Sequence, residues 1–524
     1  MMRFWRFETR QARIGAWALL FVLTGLRLGL AARVGVTPDE AYYRLWALHL
    51  QSGYLDHPPM IALWIRLGTT LFGDGGFGIR VLGPVSALAG SAFLIQAGRD
   101  LFGTQEAGYR AALLLNATLM LGLGAATATP DTPLVFFLAL VLAACGRLLA
   151  TGNPVWWLGI GAGFALAFDS KYTAVLPAAG CGLWFLTSRV QRRSWPFVLS
   201  GAVLGAAMIS PVLWWNATHH WASFLKQGGR AGDWNPLRAL NFLLELVGGQ
   251  IGLATPLIFA LFCLGVVWCV RHRRSSQAAS LLAWMSLVPA LVFVQHALGA
   301  RVQANWPVVI YPVMALGAAA TGYRIGTACC LGLFMTSLVT LQGIFALLPL
   351  SAHFDVIARQ SAGWDGLIGE IRQAAPDRPA LVAGDYALAS ILRYHAKDQP
   401  VLSYDSRWRY LDGATGGKAP EDRSDLSVLP SRRAVSGRAP ERMPDIPSGM
   451  SSDLPSGAGT GGRSMLLVLR EGERADLPAL WLKPALPGHV CRRLRGMPVV
   501  CYRLVPLAVM PLKPTHRLGL YRLP

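Results

Sequence analysis

Blocks of about twenty apolar residues, the length that crosses the hydrocarbon of a bilayer, recur from residue 14 to residue 349. Between them lie short polar connections. A chain built this way must satisfy its backbone within helices wherever it meets lipid. Residues 14–33, 81–98, 108–126, 132–150, 155–169, 172–187, 196–214, 243–270, 279–298, 305–322 and 325–349 give about eleven spans. Residues 60–72 read as a short amphipathic helix lying at the interface. Only 15% of the chain is charged, against about 25% in soluble domains. A polytopic α-helical membrane protein is therefore expected.

The net charge of +20 would suit a nucleic-acid binder, but its placement does not. Arg3, Arg6, Arg10, Arg13, Arg99, Arg110, Arg189, Arg192, Arg193, Arg271, Arg273, Arg274 and Arg324 sit in the short connections. Alternation puts those connections on one side, which the positive-inside rule makes cytoplasmic. The first helix, lacking a small-residue cleavage site, is expected to stay as an anchor. The other side then collects the unusual polar residues. They include Asp39, Glu40, Asp56, Asp131, Asp169, Lys171, His219, His220, Asp233 and Arg301. A transporter or flippase, the alternative class, would place such residues near the midplane in broken helices, often in repeated halves. Here they gather at one surface.

The stretch 36–60, VTPDEAYYRLWALHLQSGYLDHPPM, is the densest of these regions. Asp39 is the sharper candidate for a general base, a carboxylate whose pKa its surroundings can tune. Glu40 is a second, or orients the aromatic helix carrying Tyr42 and Tyr43. Pro58-Pro59 stiffens the backbone after Asp56 and His57. Those two with His219 or His220 are a candidate divalent-metal set, though the spacing is not that of a known zinc motif. Asp131 before Thr132-Pro133 reads as a helix N-cap compatible with a site role. Lys171 either snorkels to headgroups or grips an anionic group, and Arg301 with Asn305 is a second candidate for that grip. The loop around Asn216, His219 and Trp221 is either an aromatic interfacial anchor or a sugar platform.

From about residue 350 the pattern changes. WDGLIGEIRQAA and LASILRYHA read as helices; RPALVAGDY, SMLLVLR and VVCYRLVPL contain strands. Residues 350–524 are expected to form a small α/β domain beyond a transmembrane domain at 1–349, whose loop 34–80 carries the site. An odd number of spans would put this domain outside the cytoplasm. Residues 411–463, rich in Pro, Ser and Gly, read as a disordered insertion. Cys145, Cys181, Cys263, Cys269, Cys329 and Cys330 read as buried hydrophobes, while Cys491 and Cys501 would close a hairpin if that region is oxidised.

PDEAYYRLW (38–46), GYLDHPPMIALWIRLGTTLFGD (53–74), TPDTPL (129–134), SKYTAVL (170–176), PVLWWNATHHWASF (211–224) and ANWP (304–307) carry a resemblance. With them the chain resembles the membrane glycosyltransferases of the dolichyl-phosphate-mannose protein mannosyltransferase type, glycosyltransferase family 39. The bacterial branch that includes the aminoarabinose transferases is the more similar. His57 stands where those enzymes usually carry lysine. The resemblance implies a GT-C fold and an inverting transfer of a monosaccharide from a polyprenyl-phosphate donor to a lipid, glycan or protein acceptor. It implies a monomer in a bacterial inner membrane, with the site on the extracytoplasmic side. By the same likeness Asp39 would be base or acceptor-orienting carboxylate, Asp131 a second acidic position, and Lys171, with Arg301, a contact of the donor phosphate.

Overall fold

A computed structural model describes residues 7–228, 234, 236–351, 353–411, 463–475, 482–510, 513–514 and 521–522. The first part is helical. Among the described residues seven helices are long and apolar enough to cross a membrane, and four shorter apolar ones accompany them. Their packing relies on small residues. A Cβ on Gly98 would collide with the backbone of Gly108, and one on Gly161 with that of Gly201, so these helices approach as closely as glycine permits.

Three expected spans differ from the structure. The block at 243–270 is two helices, Pro236–Ala254 and Pro256–His272. Pro256 has no N–H to continue the first, and Thr255 takes φ 71°. The block at 108–126 divides into Gln105–Asn116 and Leu119–Gly124, the second capped by the Thr118 side chain. Buried Arg27 fills this break, donating to Asn116 Oδ1 at 2.8 Å and to the carbonyl of Gly122 at 3.2 Å. The block at 305–322 begins as a 3-10 turn, Trp306–Ile310, before Tyr311–Ala320. A helix forms where one is expected at 60–72, as Met60–Phe72.

Contacts sort the connections onto two faces. Arg13 bonds Gln105 and Arg110 bonds the carbonyl of Tyr323, so the start of the first helix lies with those Arg-bearing turns. At that helix's other end, Arg80 Nη1 donates to the carbonyl of Val34 at 2.6 Å and Nη2 to that of Gly35 at 2.7 Å. There the short helix Pro38–Leu48 begins.

The C-terminal region holds a five-stranded sheet, β1 (Ala380–Ala383), β2 (Val401–Ser403), β3 (Arg463–Arg470), β4 (Val490–Leu494) and β5 (Met497–Met510). The order is β2-β1-β3-β5-β4; β1 runs parallel to β2 and β3, and β5 is antiparallel to β3 and β4. A disulfide joins Cys491 to Cys501 across β4 and β5. Helices Trp364–Ala374 and Tyr386–His395 form where the sequence pattern places them, and residues 412–462 of the expected insertion lie outside the described residues. One apolar cluster runs from Leu381, Val401 and Leu466 through Trp364 and Ile391 to Tyr42, Trp46, Tyr54 and Ile65. The sheet and the Pro38–Leu48 helix thus share a core, which fixes the C-terminal region on the face where that helix lies.

The start of the Pro38–Leu48 helix is held by Glu40. Glu40 Oε1 accepts from Arg80 Nε at 2.6 Å and from the Ala128 amide at 2.9 Å; Oε2 accepts from Arg80 Nη2 at 2.5 Å and from the Thr37 amide at 2.9 Å and hydroxyl at 3.0 Å. Arg80→Met strands this buried carboxylate and is expected to cost about 3–5 kcal/mol, whereas Glu40→Gln with Arg80→Met costs much less. Thermal unfolding in detergent measures both.

Candidate active site

Thr37 caps the Pro38–Leu48 helix, with Thr37 and Glu40 forming a reciprocal capping box and Pro38 at the first helical position. Successive helical residues point about 100° apart, so burying Glu40 turns Asp39 outward. Asp39 is exposed, on a surface surrounded by protein. Its Oδ1 accepts from the Tyr386 hydroxyl at 3.2 Å. The enclosing protein and then the charges of Asp56, Glu40 and Asp385 raise the Asp39 carboxyl above its ordinary value, against the Tyr386 bond that lowers it. Burial raises the Tyr386 phenol further, which keeps it a donor. Glu40, read from sequence beside Asp39 as catalytic, has both oxygens committed to Arg80, Thr37 and Ala128.

Asp56 faces three partners. Lys226 Nζ lies 2.6 Å from Oδ1, Arg407 Nε 3.2 Å from Oδ2, and the Tyr42 hydroxyl donates to Oδ2 at 3.0 Å. Burial alone would raise this carboxyl; Lys226 and Arg407 outweigh it and bring it below the usual range. Arg407 also lies over the Tyr386 ring, 4.1 Å from its centroid, and that ring packs edgewise on Tyr42. His57 stands beside Tyr43, and burial followed by the Lys171 charge lowers its pKa to about 4. It is neutral at pH 7.

A second cluster adjoins the first. Asp131 Oδ1 is 2.6 Å from Lys171 Nζ, and Asp131 Oδ2 accepts from Asn305 Nδ2 at 2.7 Å. Both charged residues are buried. Asp131 is not the N-cap expected from sequence: Pro130 holds that position without a capping bond, and Asp131 is the first helical residue. Lys171 does not snorkel outward. It ends the Trp156–Ser170 helix and turns inward to Asp131.

Other expected residues fall elsewhere. Arg301, anticipated beside Lys171, is 74% exposed and pairs with Glu245 at 2.7 Å. A long side chain at that exposed turn finds a solvated carboxylate in place of the buried cluster. Among the described residues no group of three His, Cys, Asp or Glu is placed to hold a metal ion. The set Asp56, His57 and His219 is not assembled, because Asp56 faces cations and His219 stacks on Trp215 at 4.1 Å. Asn216 is fully buried and donates to the Val212 carbonyl at 3.1 Å. Trp215 Nε1 donates to Gln51 Oε1 at 3.0 Å, and the Trp215 ring lies so close to Gly53 that a Cβ there would press on it. Trp221 is exposed and stacks on Phe224.

Tyr386, Arg407, Lys226 and Arg80 went unread from sequence. The Thr37-x-x-Glu40 spacing was a legible signal for a capped helix, and hence for an inward Glu40. Lys226 follows a run of aromatics, Trp214 to Phe224, that carries the stronger sequence signal. Nothing local marks Tyr386 or Arg407, which reach Asp39 and Asp56 across some 350 residues of chain.

Known proteins are similar to this chain in sequence and fold. Residues 56–215 match the model of the dolichyl-phosphate-mannose-protein mannosyltransferase family. Over 275 residues, 52% of this chain, the sequence is 30% identical to lipid A galacturonosyltransferase RgtD of Rhizobium johnstonii, and the match spans 58% of that relative's length. The crystal structure of ArnT from Cupriavidus metallidurans in the apo state superposes with a TM-score of 0.56, covering 94% of this chain and 98% of ArnT at 16% identity. ArnT bound to undecaprenyl phosphate gives a TM-score of 0.55 over 77% of this chain and 88% of ArnT, at 15% identity. The fold is the one ArnT shows, a bundle of apolar helices with a small C-terminal sheet. The resemblance read from the motifs, to the mannosyltransferase type and its aminoarabinose-transferase branch, is borne out by these likenesses together.

Asp131→Asn leaves Lys171 buried without a counter-charge and is expected to cost about 3–5 kcal/mol, most of it recovered by adding Lys171→Met. A double-mutant cycle of thermal unfolding in detergent reads the coupling.

Proposed function

We propose that the protein is an inverting glycosyltransferase that moves a monosaccharide from a polyprenyl-phosphate donor to a lipid acceptor, at the extracytoplasmic face of a bacterial inner membrane. The observation that carries this reading is Asp39: an open carboxylate, raised above its ordinary pKa, held by a tyrosine from the C-terminal region. In the proposed step an acceptor hydroxyl attacks the anomeric carbon as Asp39 takes its proton. The bond from that carbon to the phosphate oxygen breaks, and polyprenyl phosphate leaves. A phosphate leaving group needs a cation more than an acid. The buried Lys171–Asp131 pair fixes the outer ends of two helices beside this centre. Glu40 acts as a positioning residue.

RgtD, as a lipid A galacturonosyltransferase, supports lipid A as the acceptor class and a uronic sugar among the donors to try. ArnT with undecaprenyl phosphate supports the carrier. The outward placement rests on two features: the Arg-bearing turns lie opposite the site, and the Cys491–Cys501 disulfide suits an oxidising compartment. Residues 1–349 form the proposed transmembrane catalytic unit and 350–524 its extracytoplasmic cover.

Asp39→Asn is expected to lower transfer from polyprenyl-phosphate sugars by about 10²–10⁴-fold, the usual contribution of a general base. Purified membranes offered labelled donors and lipid A provide the assay, and equal transfer by the variant contradicts the role. The acidic limb of the kcat/KM profile should lie above the ordinary aspartate value of about 3.9, activity growing as pH rises through the Asp39 pKa. Tyr386→Phe removes the bond that lowers that pKa, so the limb should move to still higher pH. A limb left in place would remove Tyr386 from the site.

A further inference from the structure

Most cations near the site are committed to partners, which leaves two open enough to meet an anion. Lys171 is 5% exposed and spent on Asp131, Arg80 is spent on Glu40, and Arg301 is out on the surface with Glu245. His57 carries no charge at neutral pH. Lys226 and Arg407 remain partly open, their side chains 24% and 28% exposed. They come from separate elements, the Ala222–Gly228 helix and the 3-10 turn Ser406–Tyr410, and meet on one carboxylate. Leu225, next to Lys226 in its short helix, and Trp221, just before that helix, are both exposed. Trp rings favour the headgroup level of a bilayer, which is where a lipid phosphate sits.

We propose that Asp56 is an internal stand-in for the donor's phosphate: it holds Lys226 and Arg407 together in the empty site, and the phosphodiester displaces it from both. This rests on reading the ligand as a lipid phosphate. A carboxylate and a phosphate offer a guanidinium and an ammonium the same kind of paired oxygen acceptors. Two cations so close repel unless an anion lies between them. Asp56 supplies the anion shared by both cations, with Asp405 a second partner of Arg407 at 3.5 Å; Tyr42 and the Gln227 side chain, which donates to the Asp56 carbonyl at 2.7 Å, keep Asp56 in place. The arrangement keeps both cations in position at the cost of a weaker apparent affinity, because the phosphate binds only the fraction of molecules in which Asp56 has let go.

The test is binding, which needs no sugar transfer. A short-chain polyprenyl phosphate and the matching neutral polyprenol are titrated into the full-length protein in detergent. Lys226→Ala and Arg407→Ala are each expected to weaken phosphate binding about tenfold, the loss of one charge-assisted contact. Asp56→Asn is expected to strengthen it by a similar factor, and polyprenol binding should not change in any variant. Weaker phosphate binding by Asp56→Asn, with polyprenol unaffected, overturns the proposal, since Asp56 would then be positioning the cations without competing for them. Should that variant fail to fold, the wild type decides. Polyprenyl phosphate, and not polyprenol, must protect Lys226 from amine-directed labelling, and labelling that persists with the phosphate bound overturns the proposal. Tight, competed phosphate binding by a protein that transfers no sugar would leave this inference standing and defeat the transferase reading.

Discussion

The buried ion pair between Glu40 and Arg80 is the constraint on which the site depends. Neither side chain is more than 2% exposed. Such a pair is tolerated only when the remaining lone pairs and N–H groups are satisfied. Here they are: Arg80 reaches the carbonyls of Val34 and Gly35, and Glu40 reaches Thr37 and Ala128. The end of the first helix, the start of the next and the turn before Asp131 are thereby tied to one point. The helical rotation that sends Glu40 inward turns Asp39 outward, where the Tyr386 hydroxyl meets it. One carboxylate is committed to geometry, and its neighbour is left open.

The site is shared by distant parts of the chain. Tyr386 and Arg407 come from the C-terminal region, Lys226 from the loop after a long helix, and Asp56 and Asp39 from the stretch after the first helix. Their contacts rest on the common apolar cluster of Trp46, Tyr54, Trp364 and Ile391. Displacing the sheet would therefore loosen both the bond on Asp39 and the cation on Asp56. The charges are segregated by task. Asp131 and Lys171 neutralise each other in the interior, while the Asp56 group stays partly open.

Sequence periodicity made most of the helices legible, because lipid-crossing segments must be apolar and long. It failed where a break depends on one residue, as at Thr255-Pro256, or on a tertiary partner, as where Arg27 fills the gap after Asn116. Asp39, Asp56, Asp131 and Lys171 stood out because charge beside a hydrophobic span is costly. Their pairing did not, since Lys171 with Asp131 and Arg301 with Glu245 depend on which helix ends adjoin. The short strands β2 and β4 were missed: too few residues carry a pattern, and only the assembled sheet buries them.

The stereochemistry of transfer tests the central claim most directly. The purified protein would be given a set of polyprenyl-phosphate sugars of defined anomeric configuration, uronic and amino sugars included, with lipid A as acceptor, and the product's anomeric signal read by NMR. A single displacement with Asp39 as base predicts that the configuration at the anomeric carbon is inverted. Retention, or no transfer from any such donor by folded protein, would contradict the account.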